Sequence, residues 1–302
     1  MTLSRWLSQW FDLYLVPAGL RPSTLRMYRA AIAALPAPLG ALELSALDAS
    51  GVLALRAWIV NLSDSYPRAA QIDQQVLLRA LRLAAELGLC RDVVTARTFP
   101  KVNHKARTAP ILDGVEVQKY LSAAVTFEPV YAPLLCLCCC GLRRGEALGV
   151  QVADFDHQKQ LLHVCRQRIR VDGKYTVQDL KTVNSHRVLV LPLWLCDLLA
   201  AACAERRRGP WLVDATPEIL HRAHKRVLDW ADLPASVTLH GLRHSYATLA
   251  ALHGDSLKTI AVSLGHSSTK LTDQLYTNHI YTSSLPSAVL PSPIPSLYGR
   301  VG

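Results

Sequence analysis

The sequence lacks any uncharged apolar run long enough to cross a membrane. The longest near its centre, Tyr131 to Leu142, falls short of the ~20 residues a span requires, and Val188 to Ala204 is broken by Pro192 and Asp197. The opening MTLSRWLSQWFDLYLV has neither the basic flank nor the clean apolar core of a secretory signal. Paired CxxC spacing is also missing. Four of the eight cysteines crowd into Cys136-Leu137-Cys138-Cys139-Cys140, and Cys90, Cys165, Cys196 and Cys203 supply no zinc-type partner for them. Cysteine therefore reads as a small apolar residue of a buried helix in a reducing compartment. Clustered carboxylates of the kind used by two-metal nucleases are not found either. Charge is scarce, at 19%, while half the residues are hydrophobic, so the chain can fill a core and extended disorder is excluded. A soluble, cytoplasmic protein with no membrane partner is expected.

The 302 residues suit two domains of ordinary size. Lys and Arg number 33 against 23 Asp and Glu, a net charge of +10, which favours a polyanionic partner. The surplus is spread along most of the chain and is not a basic tail. Residues 1–98 read as helical. Trp6, Leu7, Trp10, Phe11 and Tyr14 recur at helical spacing, Pro22-Ser23-Thr24 offers a helix start before Leu25 to Leu35, and further helices are predicted over Ala49–Leu62 and Arg68–Leu87. Residues 99–110, with Lys101, His104, Lys105 and Arg107 between prolines, read as a basic linker suited to crossing a phosphate backbone. A second domain, residues 111–282, opens with a helix at Asp113 to Ala124. Its pattern then changes: Leu161–Cys165 and Tyr175–Val177 read as strands flanking the turn signal Asp172-Gly173, with a third strand at Val188–Leu191. Residues 283–302 form a proline-rich tail. The expected fold is mainly α with a small β-sheet, an all-helical first domain followed by an α+β second domain.

Three clusters carry chemistry: Gly141-Leu142-Arg143-Arg144-Gly145-Glu146; Lys181-Thr182 with Ser185 and Arg187; and His240-Gly241-Leu242-Arg243-His244 followed by Gly265-His266 and Tyr276. His240 and His244 have the spacing of two metal ligands on one helix face. The zinc-protease form of that spacing carries a glutamate between them, whereas here Gly-Leu-Arg intervenes, and an arginine beside a dication is unfavourable. No metal and no other cofactor is expected. A phosphate site uses the same parts better: arginine forks bind phosphate oxygens, histidine and lysine move protons, and tyrosine can attack as a nucleophile.

These residues, in this order, resemble the tyrosine recombinase (phage integrase) family. The family's Arg, Lys, His-x-x-Arg, His and Tyr positions match Arg143 in GLRRGEAL, Lys181 in LKTVNSHR, His240 and Arg243 in HGLRH, His266 in LGHSS and Tyr276 in QLYTNH. The resemblance covers about residues 110–280 at motif level. More loosely it takes in the first domain as a SAM-like core-binding domain, including Ser23-Thr24 and Tyr28. The interval from Arg143 to Lys181 is long for a Xer-type member, and the proline-rich tail does not match the C-terminal helix that many members pass to a neighbour. No arm-binding domain is expected before residue 1.

The resemblance implies a site-specific recombinase that cuts and rejoins double-stranded DNA at core sites. Tyr276 would attack a phosphodiester to give a 3′-phosphotyrosyl bond, Arg143 and Arg243 would hold the non-bridging oxygens, and Lys181 would protonate the leaving 5′-oxygen. His240 and His266 would bind the phosphate and manage the tyrosine proton, with Glu146 orienting Arg143 or His240 from behind. Thr24, Arg26, Arg29 and Arg68 on the first domain, with Lys101, Lys105 and Arg107 in the linker, are the expected DNA contacts. The expected assembly is a homotetramer on two duplexes, monomeric in solution, with an accessory directionality factor. Integration and excision of a prophage or mobile element is the expected role. A Xer-like dimer resolvase and a non-catalytic DNA-binding regulator on the same scaffold are the alternatives.

Overall fold

The computed structural model describes residues 1–91, 98–99, 102, 110–171, 173–180, 185–205 and 209–265. The chain divides into two compact units, Met1–Arg107 and Thr108–Gly302.

The first unit is helical. Helix α1 (Leu3–Trp10) starts where the Thr2 hydroxyl accepts the Arg5 N–H, and it runs into a π-helical turn at Phe11–Leu15. Proline at the first position opens α2 (Pro22–Ala33), whose rigid φ suits a helix start. The short α3 (Ala37–Gly40) leads to α4 (Ala49–Ser65), where the Asp48 carboxylate accepts the N–H groups of Ser50 and Gly51, both at 3.0 Å. Helix α5 (Pro67–Glu86) ends before Gly88, which takes a φ of +72°. Trp6, Trp10, Leu55, Ile59, Leu77 and Leu81 form the core between them. The Trp6 indole N–H donates to the Ala80 carbonyl at 2.8 Å, so the largest apolar side chain of α1 also satisfies its polar atom.

The second unit opens with α6 (Gly114–Phe127), started by a reciprocal capping box between Asp113 and Glu116. Helix α7 (Ala132–Cys139) is apolar on every side and wholly buried. Its cysteines pack as small hydrophobes; burial pushes the Cys136 and Cys139 thiols well above their usual range and that of Cys138 to about 12, so all stay protonated. After α8 (Arg144–Leu148) come β1 (Phe155–Asp156), β2 (Leu161–Val164), β3 (Arg166–Val171), β4 (Lys174–Asp179) and β5 (Arg187–Val190). Strands β1, β2 and β5 make one antiparallel sheet in that spatial order, and β3 and β4 make a separate two-stranded ribbon. Helices α9 (Leu193–Glu205), α10 (Pro217–Trp230), α11 (Leu239–Leu252) and α12 (Leu257–Leu264) complete the described residues. None of the helices described is long and apolar enough to cross a membrane.

One strand differs from the reading of the sequence. The arm opposite β4 is Arg166–Val171, paired from Arg166↔Asp179 to Val171↔Lys174, and not Leu161–Cys165. Leu161–Val164 instead pairs with β5, Leu162 facing Leu189. The segment RQRIRV has no apolar alternation because its arginines are held by side-chain partners: Arg168 lies 5.0 Å over the Trp211 ring and pairs with Asp214 at 2.7 Å. Gly173, at the turn, has φ +82°.

A buried histidine links α6, α10 and the segment before α11. The His224 ring contacts the Tyr120 hydroxyl through Nδ1 at 2.8 Å and the Val237 carbonyl through Nε2 at 3.1 Å. A carbonyl accepts and cannot donate, so Nε2 carries the hydrogen and Nδ1 accepts from Tyr120. Burial lowers the His224 pKa to about 4. Unfolded histidine titrates near 6.5, so as pH falls the unfolded chain takes up a proton that the folded chain excludes. Stability attributable to this residue is full above pH ~6.5 and falls away toward pH ~4, by up to about 3 kcal/mol. Urea denaturation across this window should show a shallower pH dependence in His224→Gln than in the parent; identical slopes would mean that His224 titrates as if exposed.

Candidate active site

The turn from α7 into α8 depends on Gly141. Its φ is +89°, and a Cβ there would lie 2.8 Å from Leu264 Cδ2 and 3.0 Å from Tyr246 Cδ1, so glycine is required on both counts. Two residues on, Arg143 occupies the cap position of α8. Its backbone N–H donates to Glu146 Oε2 at 2.9 Å and its Nη1 donates to Oε1 at 2.6 Å. Glu146 is 1% exposed. It also accepts from Arg187 Nη2 at 2.9 Å and lies 3.8 Å from Arg243 Nη1. A single carboxylate thus sits among three guanidinium groups brought by the cap of α8, the start of β5 and the middle of α11.

Three cations around one anion repel unless other acceptors share them, and the end of α12 supplies these. The carbonyl of Ser263 accepts from Arg187 Nε at 2.7 Å, that of Leu264 from Arg243 Nη2 at 2.7 Å, and that of Gly265 from Arg143 Nη2 at 3.4 Å. These are the last carbonyls of a helix, which have no partner within the helix and carry its partial negative charge. Gly265 ends α12 in the left-handed region (φ +65°), and a Cβ there would meet Arg187 Nη1 at 3.1 Å. The carbonyl of Gly141 takes the other end of Arg243, from Nη1 at 2.6 Å.

The charges follow from this packing. Burial alone would raise the Glu146 pKa, but the charge and hydrogen bond of Arg187, then Arg143, outweigh it and hold the carboxyl below its usual range. Burial, followed by Arg143, presses Arg243 down to about 9, so it remains a cation at neutral pH. Desolvation, then Arg243 and Arg143, lowers the pKa of His240. By surface area His240 is exposed, yet its ring lies close enough to the arginines to feel their charge and to meet the His244 ring edge-on at 4.4 Å. Arg143 (side chain 38% exposed) and His240 face outward, while Arg243 and Arg187 lie behind them.

Of the residues singled out from the sequence, Arg143, Glu146, His240 and Arg243 come together here. Lys181, His266 and Tyr276 lie outside the described residues, as do Lys101, Lys105 and Arg107. In the first unit, Arg26, Arg29 and Arg68 are exposed and Thr24 is half-buried. Arg29 lies 4.8 Å over the Phe11 ring, and Arg68 donates to Gln71 Oε1 at 2.5 Å. No group of three His, Cys, Asp or Glu that could hold a metal ion occurs among the described residues.

Two features carried no role in the sequence. Arg187 stood near Lys181 in the same motif, with nothing to show that its partner is Glu146, 41 residues away. The second feature is a groove of about 680 Å³ beside α8, lined by Arg144, Arg168 and Arg170 together with Glu218, His221 and Arg222 of α10. Its signals were the alternating arginines of RQRIR and the His-Arg pair of α10. Glu218 is held down to about 2, first by the Tyr175 hydroxyl, which donates to it at 2.8 Å, and it pairs with Arg170 at 3.3 Å.

An outward-facing arginine and a depressed-pKa histidine on a buried Arg–Glu framework have the chemistry to handle a phosphate, and they are set in a mainly helical scaffold. Residues 111–282 match the phage integrase family, and the chain belongs to it; it is a tyrosine-type site-specific DNA recombinase. It is 29% identical over 298 residues to the tyrosine recombinase XerC of Rhodospirillum centenum, covering 91% of this chain and 82% of the relative. With the integrase of Mycobacterium phage FRAT1 it shares 26% identity over 230 residues, 72% of this chain and 68% of the relative. Its fold matches that of the Tn1549 transposon integrase in complex with a circular intermediate DNA, with a TM-score of 0.76 at 16% identity, over 91% of this chain and 95% of that one.

Removing the charge of Glu146 should unbalance the whole cluster. Glu146→Gln is expected to lower stability by about 3–5 kcal/mol, the range for breaking a buried ion pair from one side. Urea denaturation at pH 7 measures it, and a loss below ~1 kcal/mol would show that the helix-end carbonyls suffice without the carboxylate.

Proposed function

We propose that Tyr276 attacks a DNA phosphodiester at a core site, forming a 3′-phosphotyrosyl bond as the bond to the 5′-oxygen breaks. The observation that carries this reading is the convergence of Arg143, Arg243 and His240 on the Glu146 framework. Arg143 and Arg243 hold the non-bridging oxygens as charge builds on the pentacoordinate phosphorus. Preorganised donors of this kind are worth on the order of 3–4 kcal/mol each when removed singly. His240 is neutral at neutral pH because its pKa is depressed, so it can accept the tyrosine proton, with His266 assisting. Lys181 gives a proton to the leaving 5′-oxygen. The phosphotyrosyl linkage keeps the phosphodiester's reactivity, so a 5′-hydroxyl from a second duplex reverses the step without ATP or a metal ion.

The helical first unit, through Thr24, Arg26, Arg29 and Arg68, and the linker with Lys101, Lys105 and Arg107, binds the same duplex. Four protomers, monomeric before they meet DNA, act on two sites in the cytoplasm, with an accessory factor setting direction. Integration and excision of a prophage or mobile element is the role we favour, and the phage integrase relative supports it. The similarity to XerC supports dimer resolution as a second reading, which an attachment site beside the gene would exclude.

The chemistry is tested by trapping protein-linked DNA on nicked fragments from the region flanking the gene. The parent chain should give a covalent adduct with or without EDTA. Tyr276→Phe should give none while still retarding DNA. Adducts that persist in Tyr276→Phe would move the nucleophile elsewhere, and their loss in EDTA would reopen a metal-dependent route.

The groove beside α8 should track a phosphate backbone. Arg222→Ala is expected to weaken binding about equally across DNA sequences and to reduce the slope of log K against log salt by ~0.9, the value for one phosphate contact. An unchanged slope would place Arg222 off the DNA.

A further inference from the structure

We propose that Arg187 is a positioning residue for Arg143, acting through Glu146. The proposal rests on the reading above, in which Arg143 neutralises a non-bridging oxygen. The Arg187 side chain is 3% exposed. Its donors are committed inside the protein: Nε to the Ser263 carbonyl at 2.7 Å, Nη1 to the Ser185 carbonyl at 3.2 Å, and Nη2 to Glu146 Oε2 at 2.9 Å. Its backbone is fixed as well, because Arg187 is the first residue of β5 and pairs with Val164 of β2.

These contacts decide which oxygen Arg143 receives. With Arg187 on Oε2, Glu146 turns Oε1 toward Arg143 Nη1 at 2.6 Å. The next cation near Oε2 is Arg243, at 3.8 Å and already bound to two carbonyls. Without Arg187, Oε2 keeps the Arg143 backbone N–H at 2.9 Å but loses its closest guanidinium, so the carboxylate can tilt toward Arg243 and loosen its grip on the side chain that faces solvent. Arg143 is long and 38% exposed. Among the described residues, its other side-chain hydrogen bond is the 3.4 Å one to Gly265. Loss of a properly placed Oε1 therefore leaves it a charge without a fixed direction. Glu146 and Arg187 together serve as the mount, and Arg143 is the group that touches the phosphate.

The test uses a substrate whose charge has been altered at one oxygen. Single-turnover cleavage is measured on the core-site duplex located by adduct trapping, carrying either a natural scissile phosphate or a methylphosphonate of either configuration. A methyl group in place of one oxygen removes the negative charge that an arginine would have to neutralise. Arg187→Met should cleave natural DNA about 10²-fold more slowly, the scale for a lost preorganised donor, with affinity within about twofold. On the methylphosphonate isomer that restores Arg143→Ala, its deficit should shrink to under about threefold, and Arg187→Lys should fall between parent and Arg187→Met on natural DNA. Should Arg187→Met fail to fold, Arg187→Lys carries the same comparison. A deficit that stays undiminished on that isomer would overturn the link from Arg187 to Arg143. If neither isomer restores Arg143→Ala, the assignment of Arg143 to a non-bridging oxygen falls instead, and the proposal built on it falls too.

Discussion

A buried carboxylate shared by three arginines is the constraint on which the second unit depends. Glu146 alone cannot balance Arg143, Arg187 and Arg243, and it does not have to. The last carbonyls of α12 each take one guanidinium, and Gly141 takes a second bond from Arg243. Charge and partial charge thus come from opposite sides, a side chain on α8 and a helix end on α12. Neither source would hold the cluster alone, since buried cations need both an ion partner and enough acceptors for their remaining N–H groups.

That arrangement explains several otherwise unrelated residues. Gly141 and Gly265 both sit at positive φ, Gly141 approaches Leu264 too closely for a side chain, and Gly265 packs tightly on Arg187. One turns the chain from α7 to present Arg143, and the other ends α12 so that its carbonyls face the arginines. The four cysteines of α7 and its end belong to the same solution. A helix buried on every side, ending beside a charged cluster, suits small apolar residues, and thiols kept protonated by burial add no further charge. Gly149 makes another close contact, where a Cβ would lie 3.0 Å from the Arg166 carbonyl and bring the end of α8 into conflict with β3.

Much of this was legible in the sequence, and the parts that were not share a cause. Helices α4 and α5 were readable from apolar spacing because one face of each is buried. Arg143, Glu146, His240 and Arg243 were singled out by the order of their motifs, which resembles a family pattern, and only the Arg143–Glu146 cap is local; Arg243 bonds to Gly141, 102 residues away. Strand β3 was missed because its arginines are satisfied by Asp214 and the Trp211 ring, more than 40 positions away, and no apolar alternation marks a ribbon held that way. Arg187 was seen but given no role for the same reason. In a sequence, an arginine reads as a surface charge, and its burial depends on a carboxylate 41 residues earlier and a helix end 76 residues later. The acceptor role of the α12 carbonyls is a property of backbone geometry, and composition carries no trace of it.

The balance left in the cluster bears on function. Three cations and one carboxylate leave a net positive charge, and the helix-end dipole offsets part of it without cancelling it. Arg243 shows the strain of this surplus in a pKa pressed down by burial and by Arg143, and His240 responds by staying neutral. In the reaction proposed above, an arriving phosphate diester brings the missing negative charge, and a pentacoordinate transition state brings more. In that reading, each step toward the transition state relieves repulsion that folding has already built in. Interactions stronger in the transition state than in the ground state are the ones that accelerate chemistry. A framework rigid enough to hold its cations in place without the anion avoids reorganising them when the charge develops.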